Sequence, residues 1–368
     1  MTGVDAADSQ MMRGFPPPPE HRLLREQIYS ETRFTNWFMQ HVRELTGTVD
    51  PSSRHGAIAK LPEEPMDLDV APVDNAKGEK WTLTDMLQGT CTDAIMLLRQ
   101  GRVVYERYFN GMKPETPHLC MSVTKALASC VAANLVEGGT IDVDDELAAV
   151  VPELAGSAYA DATARHLLDM SVAIRYQDDI EDPAFEGARL CRLQGVQPRR
   201  ADDEPGSAYD FATETQKQGQ HRDVFHYVSL NTFVLGWVME RATGISVPDL
   251  IKTHVWGKLG TEHDAYIALD GAGSAQLEGG FASSLRDRAR FGQTLCQGGL
   301  FNGQQVIPAW WLEDVRHNGD KRAFAAAAES WVDARSYTGC SYRSCFWVNE
   351  SDDHIAFSGA GWLGQRGT

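Results

Sequence analysis

A serine and a lysine stand three positions apart in an apolar segment of this chain. The segment HLCMSVTKALAS covers residues 118–129 and contains Ser122 and Lys125. On a helix, residues with this spacing share a face, with their Cβ atoms about 5 to 6 Å apart. Burial would favour loss of the lysine proton because it penalises the charged form. The neutral amine could then take the proton of the Ser122 hydroxyl and produce an activated nucleophile.

A purely structural interpretation of the same pair stays open. Lys125 could extend its ammonium group to solvent along an apolar stem. Ser122 could simply cap the first turn of the helix. The pattern S-x-x-K is short, so alone it does not decide between a nucleophile and a cap.

Tyr227 and Ser229 offer further groups for the same chemistry. Tyr227 opens the segment YVSLNTFVLGWVMERATG, and Ser229 follows two residues later. A phenol beside a lysine can relay a proton to a leaving group, and a nearby hydroxyl can hydrogen-bond the same centre. The alternative for Tyr227 is an aromatic core residue at the start of a helix.

The glycines near the C-terminus form the third candidate. In SGAGWLGQ, Gly359, Gly361 and Gly364 fit the G-x-G-x-x-G pattern of dinucleotide-binding proteins, but only four residues remain for the helix that this pattern requires. A glycine-rich strand edge can instead bring a backbone N–H towards a substrate carbonyl. A tight turn without chemistry is the alternative.

Other stretches carry weaker signals. The acidic stretch of residues 176–187 could bind an amine-bearing end of a substrate, although such charge runs are usually solvated loops. No G-x-S-x-G, H-E-x-x-H or Walker-type pattern occurs, which argues against the corresponding hydrolase, metalloprotease and nucleotide sites. The histidines are spread singly, and we expect structural roles for His166, His226 and His254.

The composition excludes several classes of partner. The 368 residues are 42% hydrophobic and carry a formal net charge of −17, which argues against nucleic acid and anionic membranes because both bind basic surfaces. The N-terminus lacks the basic start and apolar core of a secretory signal, and no apolar stretch is long enough to span a membrane. The seven scattered cysteines indicate neither a disulfide framework nor a zinc site. We expect a cytoplasmic protein that needs no cofactor and no metal.

Strands are predicted towards both ends of the folded part. Residues 93–111 contain two β-rich runs around Gln100-Gly101 and predict a hairpin. The segments YRSCFWVNE and HIAFSGAGWLGQ predict strands near the C-terminus. Helices fill the interval between them. This order predicts an α+β fold in which an antiparallel sheet is flanked by helices and a mostly helical subdomain is inserted.

The helices are predicted from apolar periodicity and from glycine stops. The lysine-bearing helix runs from Met121 to Val136 and ends at Gly138-Gly139. A long polar loop is expected from Arg175 to Gly219. Further helical segments are TIDVDDELAAVVPELAGS, TARHLLDMSVAI, HYVSLNTFVLGWVMERATG, VPDLIKTHVWGKLG and ASSLRDRARFGQTLCQGG.

Two regions are predicted along the chain. Residues 1–78 are rich in proline and polar residues and predict an extended N-terminal arm, with one helix near Phe34 to Leu45. Residues 79–368 would form one domain. Its α/β part would comprise about 79–140 and 275–368, and its helical part about 141–274.

Several stretches in this order resemble the serine β-lactamase and penicillin-recognising superfamily, in particular class C β-lactamases and related esterases. The resemblance is carried by SVTK, TARHLLDMSVAI, YVSLNTFVLGWVMERATG and GGFASSLRDRARFGQ, and it covers about residue 80 to the end. Within the superfamily the chain is most similar to 6-aminohexanoate-dimer hydrolases. The start GFPPPPEHR, the serine at position 229 and the ending GAGWLGQ indicate this group.

The resemblance implies a role for each candidate residue. Ser122 would be the acylated nucleophile, Lys125 its base and Tyr227 the proton shuttle. The backbone N–H groups of Ser122 and Trp362 would form the oxyanion hole. Ser229 and Gly361 would contact the substrate.

The resemblance also implies a function, with alternatives. The chain would hydrolyse a small amide or ester through a covalent acyl-enzyme, as a monomer or a homodimer. A β-lactamase proper and a catalytically inactive binding or scaffold protein are the alternatives. Relatives continue past the Gly-Gln pair with further strands and a terminal helix, so we expect these elements to be missing from this sequence.

Overall fold

Helices in the middle of the chain and antiparallel strands towards its two ends build the fold, which is the predicted α+β class. The structure is a computed structural model, and it describes residues 11–24, 27–51, 57–74, 78–180, 182–201, 206–331, 339–351 and 353–368. No helix in these ranges has both the length and the apolarity needed to span a bilayer.

The helices of the described residues differ widely in length. They are α1 (Thr32–Gln40), α2 (Leu83–Gly89), α3 (Val123–Glu137), α4 (Leu147–Val150), α5 (Ala164–Leu168), α6 (Glu186–Leu193), α7 (Ala208–Thr213), α8 (Leu230–Thr243), α9 (Val247–His254), α10 (Leu285–Cys296), α11 (Ala309–His317) and α12 (Lys321–Trp331). Short 3₁₀ turns cover Pro19–His21, Val42–Glu44, Pro152–Gly156, Trp256–Lys258 and Trp362–Gly364.

The named strands pair antiparallel. They are β1 (Thr48–Val49), β2 (Pro72–Asp74), β3 (Lys80–Thr82), β4 (Ala94–Arg99), β5 (Arg102–Tyr108), β6 (His118–Leu119), β7 (Tyr266–Ala268), β8 (Phe281–Ser283), β9 (Leu300–Phe301), β10 (Gln304–Gln305), β11 (Cys340–Arg343), β12 (Phe346–Glu350), β13 (Ile355–Gly361) and β14 (Gln365–Gly367). Two four-stranded sheets have the orders β1-β7-β8-β6 and β11-β12-β13-β14, and three pairs join β2 to β3, β4 to β5 and β9 to β10.

Helix α3 forms the centre of the main core. It is apolar on nearly all sides, and most of its residues, including Ala128 and Ala133, are fully buried. A helix of this composition is stable only inside a protein because every face must avoid water. It ends before Gly138-Gly139, as predicted, and Gly139 has a φ of +67° that favours glycine.

Helix α8 packs beside α3 and is the second buried helix of the core. It begins at Leu230, and Gly244 ends it in the left-handed region at φ +69°. The helix predicted in this stretch is therefore confirmed, but it starts three residues after Tyr227. The tyrosine and Ser229 lie in the turn that leads into the helix rather than on its face.

The N-terminal region packs against the rest of the chain through a small core of its own. Helix α1 covers much of the helix predicted near Phe34 to Leu45, and β1 pairs with β7. Phe34, Phe38 and Val42 are buried against residues of β6, β7 and β8. These residues therefore line one side of the sheet that leads into α3.

The long loop predicted from Arg175 to Gly219 is wrong, because it contains α6 and α7. Helix α6 buries an apolar face that includes Leu190 and Leu193. Helix α7 begins with a capping box, in which Ser207 and Asp210 satisfy each other's backbone N–H groups. The S-x-x-D spacing at residues 207–210 was the local signal for this helix.

The predicted hairpin and C-terminal strands are present. Strands β4 and β5 form the hairpin, with Gln100 and Gly101 at its turn. Strands β11, β12 and β13 occupy the two C-terminal segments, and β13 packs directly on α3. Strand β13 therefore brings the predicted glycine-rich edge to the helix that carries Lys125.

Candidate active site

Ser122 lies in a sharp turn between β6 and α3. The preceding residue, Met121, has a φ of +47°, a conformation that is strained for a residue with a long side chain. The Ser122 side chain makes no capping hydrogen bond to the first turn of α3. The alternative of a simple helix cap therefore does not match the structure, and the hydroxyl is free for another partner.

Lys125 is completely buried and does not extend to solvent. Its exposed fraction is 0%, and its Nζ atom lies 2.9 Å from Ser122 Oγ. The same nitrogen lies 3.4 Å from Ser229 Oγ and 2.6 Å from the backbone oxygen of Glu278. The structure thus brings together the serine and lysine of the S-x-x-K pattern and adds Ser229 to them.

The three contacts of Lys125 allow proton transfer between its nitrogen and Ser122. All three partners are uncharged oxygen atoms. A neutral amine has two N–H donors and one lone pair, whereas an ammonium group has three donors and no lone pair. The Glu278 carbonyl and the Ser229 hydroxyl can accept the two N–H bonds. In the ammonium form the third N–H donates to Ser122 Oγ, and in the neutral form a lone pair faces the Ser122 hydroxyl and can take its proton.

Tyr227 lies over Lys125 and is held by an aromatic cluster. The Lys125 Nζ atom is 5.1 Å from the centre of the Tyr227 ring. Trp347 stacks on this ring at 5.7 Å, and Tyr342 meets it edge-on at 6.0 Å. The phenol oxygen of Tyr227 makes no hydrogen bond within the described residues, so it is not joined to Ser122 or Lys125.

Gly361 and Trp362 bring the end of β13 to the turn that holds Ser122. A Cβ atom on Gly361 would lie 2.9 Å from the backbone oxygen of Cys120 and from the Cβ of Met121. Real Cβ atoms do not approach other atoms so closely, so only glycine fits here. Trp362 follows at once, and its half-exposed indole ring lies 4.5 Å from the ring of Tyr29.

These residues line one cleft with a volume of about 510 Å³. Its walls are mainly apolar, and they come from widely separated parts of the chain. The residues from the segments that hold Ser122, Tyr227 and Trp362 are Leu119, Met121, Ser122, Tyr227, Ser229, Trp347, Ala360, Gly361 and Trp362. The other lining residues are Tyr29, Phe38, Val42, Thr46, Asp178, Ile180, Gly187, Leu190, Cys191, Gln194, Val196, Ala268, Gln276, Glu278, Gly279 and Gly280.

The N-terminal contribution to this cleft was missed by the sequence analysis. Tyr29, Phe38, Val42 and Thr46 line it, although they precede the region of family resemblance. Their apolar spacing predicts a packed helix but does not reveal what that helix packs against.

Glu278 was also missed, and it is an unusual residue for such a position. Its side chain is only 6% exposed, its Oε1 accepts a hydrogen bond from Gln194 Nε2 at 2.5 Å, and its Oε2 has no partner among the described atoms. Burial raises the pKa of this carboxyl group from its ordinary value of 4.5 to about 7, although Lys125 nearby opposes the rise.

Asp178 brings the acidic stretch of residues 176–187 to the cleft. Its surface is open to solvent at the mouth of the cleft, but protein atoms crowd the carboxyl group on its other sides. This crowding raises the pKa of Asp178, and the charge of Lys125 opposes the rise. Asp178 is therefore exposed to solvent, as expected of a solvated loop, and it also lines the cleft.

The three histidines considered earlier lie outside the cleft lining. Burial lowers the pKa of His166 to about 4, and it also lowers the pKa of His226 and His254. His166 accepts a hydrogen bond from the backbone N–H of Thr163 at the start of α5. The described residues contain no group of three or more histidine, cysteine or acidic side chains that could hold a metal ion.

Comparison with known proteins gives consistent results. A family model described as Beta-lactamase matches residues 83–358. The 6-aminohexanoate-dimer hydrolase of Paenarthrobacter ureafaciens is 35% identical over 295 residues, which are 80% of this chain and 73% of that protein.

Solved structures extend the comparison to the fold. A Bacillus anthracis protein, provisionally named as a 6-aminohexanoate-dimer hydrolase, has a TM-score of 0.85 and 28% identity over 95% of this chain and 88% of its own. A D-stereospecific amidohydrolase of a Streptomyces species has a TM-score of 0.54 and 18% identity over 74% of this chain and 85% of its own. The second likeness concerns the fold alone.

Proposed function

This chain belongs to the Beta-lactamase family, and from that membership we propose that it is a serine hydrolase that cleaves small amides or esters through a covalent acyl-enzyme. The observation that carries the proposal is the buried Lys125 nitrogen 2.9 Å from Ser122 Oγ. All three oxygens around this nitrogen are uncharged, and an amine in this position can act as the base for the Ser122 hydroxyl when it is neutral.

In the proposed acylation step, Lys125 takes the proton of Ser122 while Oγ attacks the substrate carbonyl carbon. The backbone N–H groups of Ser122 and Trp362 stabilise the negative charge that develops on the carbonyl oxygen. Tyr227 then relays the proton to the leaving amine or alcohol, and the bond between it and the carbonyl carbon breaks. The phenol is available for this step because it makes no hydrogen bond within the described residues.

Linear amides are the substrates that we propose first. The named relative acts, by its name, on a dimer of 6-aminohexanoate, which is a linear amide. The cleft of this chain has mainly apolar walls and a volume of about 510 Å³, which suits an extended acyl chain of several carbon atoms. A hydrolysis screen over linear amides, p-nitrophenyl esters and nitrocefin would separate amidase, esterase and β-lactamase activities.

The nucleophile is tested by labelling with a fluorophosphonate and intact-protein mass spectrometry. We expect one adduct on Ser122 in the unmodified protein and none in Ser122→Ala. Ser129→Ala is the matched control, because Ser129 lies on the same helix but bonds Trp311 in the core and is expected to leave labelling intact. A protein that folds and binds the probe without forming an adduct would instead be an inactive relative.

A further inference from the structure

Glu278 is a buried acid that lines the cleft, and its second carboxyl oxygen has no partner among the described atoms. A buried polar atom that lacks a hydrogen-bond partner is costly, so it is usually satisfied by water or by a ligand. The orientation of the Glu278 carboxyl group is fixed by a neighbouring side chain. Gln194, itself buried, donates a hydrogen bond to the other oxygen and thereby fixes the orientation of the carboxyl group.

Glu278 is also close to the nucleophile through Lys125. The Lys125 nitrogen contacts both Ser122 Oγ and the backbone oxygen of Glu278. The next residue, Gly279, lies against Met121 in the nucleophile turn. The backbone of Glu278 is thus anchored beside the reacting centre, and its side chain lines the same cleft.

Once Ser122 is acylated, hydrolysis requires a base for water. In the proposed acylation step, Lys125 already serves Ser122 and Tyr227 serves the leaving group. Asp178 is open to bulk solvent at the mouth. Glu278 combines an enclosed position, a fixed orientation and a free oxygen.

We propose that Glu278 is a further catalytic residue, which holds a water molecule on its unpartnered oxygen and activates it for deacylation. This role rests on the proposed acyl-enzyme. The water oxygen bonds to the acyl carbon while one water proton passes to the Glu278 carboxylate. The bond between the acyl carbon and Ser122 Oγ then breaks. The proton on Glu278 is then given to the departing Oγ, so the carboxylic acid product and the free enzyme result.

The charged and titratable groups around Glu278 make its carboxylate form available near neutral pH. Lys125 on α3 and Asp270 after β7 act on it electrostatically, Cys191 on α6 lies close enough to feel its charge, and Asp178 lines the same cleft. Burial and Asp270 raise the pKa of Glu278, whereas Lys125 lowers it, and the result is about 7. A general base is most effective when its pKa lies near the working pH.

The test compares the unmodified protein with Glu278→Gln, using p-nitrophenyl hexanoate. Glutamine keeps the size of the side chain and an acceptor for Gln194, but it cannot take a proton. We expect the burst of one p-nitrophenol per protein molecule to persist and the steady-state rate to fall about 100-fold or more. Intact-protein mass spectrometry should show accumulated hexanoyl-enzyme.

Three further measurements make the test specific. Hydroxylamine needs less help from a base than water does, so it should restore turnover of the Glu278→Gln acyl-enzyme. Glu278→Asp keeps a carboxylate and should give a deacylation rate between those of the other two proteins. The deacylation rate of the unmodified protein should rise with pH through about 7, and this rise should disappear in Glu278→Gln.

Three outcomes would overturn the proposal. An unchanged steady-state rate would show that another group activates water. Loss of the burst itself would place Glu278 in acylation. A KM raised only for p-nitrophenyl 6-aminohexanoate, with normal turnover of the hexanoate, would mean that Glu278 binds a substrate cation instead. If Ser122 were not the nucleophile, Ser122→Ala would still show the burst, so failure of the proposed function would be recognised separately.

Discussion

Lys125 owes its special character to the atoms that enclose its nitrogen. Three uncharged oxygens surround it, and one of them belongs to Ser122, the proposed nucleophile. The S-x-x-K spacing predicts that Ser122 and Lys125 share a helix face. It does not predict the contact with Glu278, because that contact joins residues 153 positions apart and depends on the complete fold.

The first prediction concerns this nitrogen. Lys125→Met should lower the rate at which a fluorophosphonate labels Ser122 by about 100-fold or more, because methionine fills the buried site but cannot take a proton. Labelling is followed over time by intact-protein mass spectrometry. Tyr227→Phe is the comparison, and it should label at nearly the normal rate because fluoride leaves without a proton. Normal labelling of Lys125→Met would contradict a lysine base.

Glu278 is a residue of the site that the sequence did not reveal. Glu278 has no local pattern that marks it, because its significance comes from Gln194, which lies 84 positions away, and from an oxygen atom left without a partner. Ser122, Lys125, Tyr227 and Ser229 could be found from the sequence, because their spacing within short segments carries the signal.

At the scale of elements, strand β13 lies so close to α3 and to the turn that holds Ser122 that two of its positions have no room for a side chain. A Cβ on Gly359 would lie 3.2 Å from Ala126 Cβ on α3, and one on Gly361 would meet the turn at 2.9 Å. The sequence predicted both a strand and a backbone donor here. It could not predict which helix the strand packs on, since that depends on pairing with β12 and β14.

The second prediction tests this close approach. Gly361→Ala should lower the free energy of unfolding by about 1 to 3 kcal/mol, because an added methyl group must displace the backbone at Cys120 or the strand itself. It should also slow labelling of Ser122. Urea unfolding measures the first effect and mass spectrometry the second.

Gly367→Ala on the adjacent strand is the matched control. The nearest atom to its new Cβ would be Val123 Cγ1 at 4.0 Å, an ordinary contact distance. We expect this variant to unfold and to label like the unmodified protein. If Gly361→Ala behaved in the same way, β13 would not lie against the nucleophile turn as described.

The helices show where local signals suffice and where they fail. Apolar runs with glycine stops predicted α3 and α8, because a fully buried helix has an unmistakable composition. Helices α6 and α7 were missed because they are short and sit in a charged, proline-containing stretch. The capping-box residues Ser207 and Asp210 were present in the sequence, but the polar composition around them led to the prediction of a loop.

On the scale of the whole molecule, a buried acid links stability to pH. In the unfolded chain Glu278 has a pKa near 4.5, and in the folded protein it has a pKa of about 7. Between these values the folded state binds more protons, so the free energy of unfolding falls as pH rises through this window. The loss is complete above about pH 7.

The third prediction follows from this linkage. Glu278→Gln should make the protein more stable at pH 8, by about 3 kcal/mol at most, because glutamine carries no charge to bury. At pH 4.5 the difference should shrink, since the glutamate is then largely protonated in the folded state. Urea unfolding at both pH values measures the effect. Equal stabilities at pH 8 would mean that the carboxylate is solvated in the folded protein.

The contact between Tyr29 and Trp362 joins residues from early and late in the sequence, and both line the cleft that contains Ser122. During synthesis, the ribosome completes Ser122 and Lys125 long before it reaches Trp362. A partly made chain would therefore contain Ser122 while it still lacks the cleft wall at Trp362 and the Trp362 N–H, the proposed second donor to the oxyanion. On the proposed mechanism, full reactivity towards substrate would therefore arise only when these two distant segments meet.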